Sequence, residues 1–125
     1  MKTYAAIRVL LADDDEDYAA SLGRLIEEQP ELTLVGVAHE GLETVRLAEE
    51  LDPDAVVVDL HMPQLGGVAA VEQLRRNHLH ACLIAITGDH DASLHRAAAG
   101  AGADGVLVKG EIIAALLDRL RRGRI

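Results

Sequence analysis

Apolar residues gather along the chain in five short runs: IRVLLA (7–12), LTLVGVA (32–38), DAVVVDL (54–60), ACLIAIT (81–87) and GVLVK (105–109). Several are almost unbroken Val, Leu and Ile, the pattern of strands covered on both faces, as in a parallel sheet. Between them the apolar positions follow a helical period. Tyr18, Leu22, Leu25 and Ile26 recur on one side of 15–29, with acids opposite. Further helices are predicted over 41–51, over 67–77 (Val68, Val71, Leu74), over the Ala-rich 91–100 with Gly100 as its stop, and over 111–122, where Ile112, Ile113, Leu116, Leu117 and Leu120 share a face. Arg119, Arg121 and Arg122 suit the C-terminal end of that last helix, and Pro30 and Pro53 fall in connections. The pattern is (βα)5: an open, doubly wound parallel sheet with helices on both faces.

Composition narrows the picture. A chain of 125 residues makes one domain, and 50% hydrophobic residues supply a core. The net charge of −9 argues against nucleic-acid binding by this segment. Cys82 is the only cysteine, so no internal disulfide or CxxC site forms, and its apolar neighbours suggest a buried thiol. Tyr4 and Tyr18 are the only aromatics, too few for a base-stacking platform. No apolar run approaches the ~18 residues of a membrane span, and MKTYAA lacks a signal-peptide core, so a soluble, cytoplasmic protein is expected.

In such sheets ligands bind beyond the carboxyl ends of the strands. Strand 1 delivers Asp13 and Asp14 there, strand 3 Asp59, strand 4 Thr87 followed by Gly88 and Asp89, and strand 5 Lys109. Strand 2 brings only His39 and Glu40. Converging carboxylates repel, by about 4 kcal/mol for a pair about 4 Å apart at a partly buried site, unless a cation sits among them. Magnesium is a hard ion that takes oxygen ligands and keeps several waters. Asp14 and Asp59 could bind it directly, with Asp13 one water further out; zinc fits less well without a His or Cys cluster. Lys109 and the Thr87 hydroxyl suit a phosphoryl group beside the metal, and a carboxylate can serve as nucleophile in phosphoryl transfer. These arguments do not choose which Asp attacks. Asp15, Glu16 and Asp17 are explained as the acidic start of a helix, and His78, His80, His90 and His95 as exposed residues at element ends.

LADDD, VVVDLHMPQLGG, IAITG and GADGVLVKG, in that order and each at a strand end, resemble the receiver domains of two-component response regulators over about Arg8 to Arg122. DLHMP and the K-G ending look most like the NarL/FixJ subfamily, whose members carry a C-terminal LuxR-type helix-turn-helix. The resemblance implies a flavodoxin-like strand order, 2-1-3-4-5. It implies Asp59 as phosphoacceptor from a sensor histidine kinase, and Mg²⁺ (or Mn²⁺) on Asp14, Asp59 and the backbone carbonyl of His61, with Asp13 assisting through water. Thr87 and Lys109 would contact the phosphoryl group, and His61 and Asp89 would tune its hydrolysis. Residues 1–6 would be an N-terminal extension, 7–122 the receiver and 123–125 a tail or the start of a linker. LLDRLRRGRI looks like the last receiver helix running on towards an output domain, which alone would contact DNA. A homodimer is open, and so is a stand-alone receiver acting through protein contacts.

Two features depart from that pattern. Receivers usually have Lys-Pro where this chain has Lys109-Gly110, and an aromatic where it has Val106. Valine cannot trade a large exposed surface for a buried one. The expected switch is therefore a shift of the loop and helix near 87–100, or dimerisation. Two other classes fit less well. A Mg²⁺-dependent phosphohydrolase would want a second Asp where His61 stands, and a flavodoxin-like cofactor binder would want a Ser/Thr/Gly-rich loop where the acids lie.

Overall fold

The computed structural model describes residues 6–77, 80–88 and 91–109 and, beyond these, 114, 115, 117, 118 and 122. Its elements run β1 (Ile7–Ala12), α1 (Glu16–Glu27), β2 (Leu32–Ala38), α2 (Gly41–Leu51), β3 (Ala55–Asp59), α3 (Gly67–Arg76), β4 (Cys82–Thr87), α4 (Ala92–Ala101) and β5 (Gly105–Val108). All strand pairs are parallel, in the order β2-β1-β3-β4-β5. The chain leaves β1 to one side for β2, then crosses to the other for β3. The topological switch point thus lies between β1 and β3, where a crevice opens beyond the strand ends.

The unbroken apolar runs are explained by two-sided burial. Val9, Leu11, Val57, Ile84 and Ile86 face one way and pack with Ala19, Leu22 and Ile26 of α1. Leu10, Ala12, Val56, Val58 and Leu83 face the other and pack with Ala48 of α2 and Ala70, Val71 and Leu74 of α3. A smaller cluster of Leu60, Ala85 and Ala98 seats α4, with Val106 half-buried against it. Each fully buried Leu, Ile or Val contributes about 1.5–3 kcal/mol.

The structure moves several expected boundaries. α1 starts at Glu16 because Asp15 is its cap, the side chain accepting the Tyr18 N–H at 3.0 Å. α4 starts after Asp91, which caps it through the Ser93 and Leu94 N–H groups, and stops at Gly102 rather than Gly100. Gly102 has a φ of 118°, the left-handed turn that a glycine allows at no steric cost. Leu25 is 40% exposed because the buried stripe of α1 is Ala19, Leu22, Gly23 and Ile26, which leaves Leu25 at its edge. Cys82 is half-buried at the first position of β4. His80 is exposed as expected, whereas His95 lies half-buried inside α4. His78, His90 and most of the expected helix over 111–122 lie outside the described residues; Leu117 of that segment packs against the α1 side of the core. No described helix is long and apolar enough to cross a membrane.

Candidate phosphoryl and cation site

At the carboxyl end of β1 the chain leaves the core through a last ladder bond, Asp13 N–H to the Ala38 carbonyl at 2.9 Å. The Asp13 side chain stays inside and is fully buried. Its Oδ1 accepts the Asp15 N–H at 2.9 Å, and its Oδ2 lies 2.8 Å from Lys109 Nζ. The Lys109 ammonium is the partner that holds Oδ2. Asp14, next in sequence, points outward and is exposed.

Asp59 is the last residue of β3 and only 2% exposed. Its Oδ1 accepts the His61 N–H at 3.0 Å and its Oδ2 lies 3.3 Å from Lys109 Nζ. Lys109 follows β5 directly, and its N–H extends the sheet to the Thr87 carbonyl at 2.7 Å. Thr87 is fully buried at the end of β4, one residue beyond Ile86, the register partner of Asp59. The side chains of Asp13, Asp14, Asp59 and Lys109 thus meet beside the switch point, with Thr87 at the neighbouring end of β4.

Burial pushes the Asp59 carboxyl up to about 6, and the neighbouring Asp13 charge adds to the push, against the opposing His61 N–H and Lys109 ammonium. Burial pulls the Lys109 ammonium down, but Asp13 and Asp59 outweigh it and leave the group raised. One ammonium faces three carboxylates. Oxygens of Asp13, Asp14 and Asp59 lie within 4.8 Å of one another, a spacing that one small divalent ion can bridge. The raised Asp59 is what a cation would relieve, so the residues present fit Mg²⁺.

The structure brings Asp13, Asp14, Asp59 and Lys109 together and places Thr87 at the adjoining strand end. Of the acidic pair, Asp13 is buried and Asp14 lies on the rim. His61 is exposed and meets Asp59 through its N–H. Asp89 and Gly110 lie outside the described residues. Three contributors were not visible in the sequence pattern. The Tyr18 ring lies over Lys109, with Nζ 4.5 Å from its centroid. His39 Nδ1 lies 3.0 Å from the Asp13 carbonyl. Gly67 lets α3 start against the Asp59 backbone, where a Cβ would come within 2.3 Å of the Asp59 carbonyl oxygen. For Tyr18 the signal was a lone aromatic in the first helical turn after the acids, and for His39 its place at the end of strand 2; neither pointed to these contacts.

Residues 9–121 match the family described as the response regulator receiver domain. The chain is 36% identical over 115 residues to the transcriptional regulatory protein LiaR of Bacillus subtilis, covering 92% of this chain and 54% of that protein. It is 34% identical over 101 residues to the nitrate/nitrite response regulator protein NarL of Escherichia coli, covering 81% of this chain and 47% of that one. The chain therefore spans about half the length of the curated relatives it matches. Among solved structures, a LuxR-family two-component response regulator from Aurantimonas superposes with a TM-score of 0.87 at 30% identity, covering 94% of this chain and 87% of that one.

Proposed function

The chain belongs to the response regulator receiver domain family, and from that premise we propose that Asp59 accepts a phosphoryl group from a sensor histidine kinase in a Mg²⁺-dependent reaction (Mn²⁺ serving equally). The observation that carries the reading is the convergence of Asp13, Asp14, Asp59 and Lys109 on one point at the switch of the sheet. A carboxylate oxygen of Asp59 attacks phosphorus. The bond to the donor imidazole nitrogen breaks, and its electron pair leaves with that nitrogen. Asp59 is held for attack by the His61 N–H on one oxygen and the Lys109 ammonium near the other. As charge builds on the phosphoryl oxygens, Lys109 turns from Asp13 towards them and the Thr87 hydroxyl donates a hydrogen bond. Asp14, Asp59 and the His61 carbonyl would hold the cation directly, with Asp13 assisting through water, and the cation would supply further neutralisation of that charge. By the family resemblance, His61 and Asp89 would tune the later hydrolysis of the acyl phosphate.

The test is incubation with acetyl phosphate, followed by intact mass. With Mg²⁺, the wild type is expected to gain one phosphoryl group. With excess chelator the gain is expected to vanish. Equal labelling with and without the cation would contradict the reading, as would no labelling at all.

Output follows from a shift of α4 and the loop before it, or from pairing of two chains. Val106 supports this: it packs against Leu60, Ala85 and Ala98 and offers no ring to swing inward. A structure with a beryllofluoride phosphoryl mimic should show α4 displaced or a dimer formed; an unmoved α4 in a monomer contradicts it. The name of the relative LiaR, a transcriptional regulatory protein, supports a role in controlling transcription, through an output segment outside this chain. The charge of −9 supports assigning DNA contact to that segment rather than to the receiver.

A further inference from the structure

We propose that Tyr18 is a positioning residue for phosphoryl transfer: its ring face fixes the Lys109 ammonium above Asp59, and it acts through Lys109 rather than on the donor. The proposal deepens the reading of Asp59 as acceptor and rests on it.

Lysine is a poor fixed point by itself. Its ammonium is a compact charge on a four-carbon stem with free rotors. Here its side chain is only 20% exposed, and three groups surround Nζ: Asp13 Oδ2 at 2.8 Å, Asp59 Oδ2 at 3.3 Å and the Tyr18 ring centroid at 4.5 Å. The last distance is inside the roughly 6 Å range in which a ring face attracts a cation, and the attraction grows where water is excluded. The two carboxylates pull Nζ towards the sheet; the ring bounds it from the α1 side.

The ring is itself anchored by the acidic run. Asp13 Oδ1 takes the Asp15 N–H at 2.9 Å, and Asp15 caps α1 by taking the Tyr18 N–H at 3.0 Å. Tyr18 then packs beside the α1-side core that also holds Leu107 of β5, two residues before Lys109. The contacts close a circuit: Asp13 to Asp15, Asp15 to Tyr18, Tyr18 to Lys109, and Lys109 back to Asp13. Asp15, which as a helix cap needs no further role, thereby sets where the ring stands. An aliphatic side chain at position 18 would fill the same core edge, but it would present no negative π face to the ammonium.

The test compares initial rates of labelling by acetyl phosphate with Mg²⁺ for wild type, Tyr18→Leu and Tyr18→Phe, each also in a Lys109→Met background, with melting curves in parallel. Tyr18→Leu is expected to slow labelling about 3- to 10-fold, the size of one partly buried cation–π contact. Tyr18→Phe, which keeps the ring, should stay within about twofold of wild type. In the Lys109→Met background, Tyr18→Leu should change the residual rate by less than about twofold, because the partner through which it acts is gone. Equal slowing in both backgrounds would make Tyr18 a packing residue and overturn the proposal. So would a Leu variant as fast as wild type, or a Phe variant as slow as Leu. If Lys109→Met abolishes labelling, the contrast between Phe and Leu decides; if the Leu variant does not fold, Tyr18→Met replaces it. Asp59→Asn runs alongside as the control for the underlying reading: an unlabelled wild type, or an Asp59→Asn labelled as well as wild type, removes the acceptor assignment itself.

Discussion

Gly67→Ala is expected to destabilise the protein by about 3 kcal/mol or more, or to prevent folding. A Cβ at this position would lie 2.3 Å from the Asp59 carbonyl oxygen and 2.4 Å from the Leu60 Cα. Both are backbone atoms at the end of a fully buried strand, so neither can swing aside as a side-chain tip would. Relief requires α3 to lift from β3 and drags the Asp59 carboxylate with it. Gly66→Ala is the control: its Cβ would meet nothing within 4 Å and its φ is −63°, so a change within about 1 kcal/mol is expected. Denaturant midpoints for the two variants decide the matter; similar midpoints would contradict the close packing of α3 on Asp59.

Asp59→Asn is expected to make the cation-free protein more stable than wild type above pH 6, by about 1–3 kcal/mol. Asp59 has an ordinary value of 3.8 in the unfolded chain and about 6 in the fold, chiefly through burial and then through Asp13. Below about 4 both states hold the proton, and the group costs nothing. As the pH rises through 4 to 6, the unfolded chain releases its proton while the folded one retains it, so the unfolded state gains and stability falls. Above 6 the folded carboxylate is ionised too, and the loss is complete and constant. Asparagine keeps the shape without the charge and escapes the loss. Thermal melts in chelator at pH 4 and pH 7.5 should therefore converge at the lower pH and separate at the higher. Mg²⁺ should then raise the wild type more than the variant at pH 7.5. A variant less stable than wild type at pH 7.5 in chelator would show that Lys109 outweighs the burial and Asp13 effects.

The features legible in the sequence are those fixed by local pattern. β1 and β2 occupy their apolar runs without adjustment, since two-sided burial leaves a continuous signal, and α2 has the bounds that its periodicity gave. The strand-end residues Asp13, Asp59, Thr87 and Lys109 share one edge because topology alone carries them there. What the pattern could not give depends on contacts across the fold. Gly67 reads as a turn former, yet Gly102 is the described glycine with positive φ; Gly67 is needed for close approach. Arg75 bridges the Gly102 carbonyl at 2.8 Å and Asp104 at 2.9 Å, tying the end of α4 to the start of β5. Which of Asp13 and Asp14 turns inward depends on Lys109, nearly a hundred residues away. Asp15 was read correctly as a cap, but its link to Tyr18 and Lys109 needs the folded site.

The central claim, that this site exists to place a phosphoryl group on Asp59, is tested most directly by locating the modification. The protein is treated with acetyl phosphate and Mg²⁺, digested under conditions that preserve acyl phosphates, and its peptides are fragmented by mass spectrometry. One phosphoryl group on Asp59, missing from Asp59→Asn, is the result expected. A phosphoryl group on another carboxylate or a histidine, or undiminished labelling of Asp59→Asn, would contradict the account.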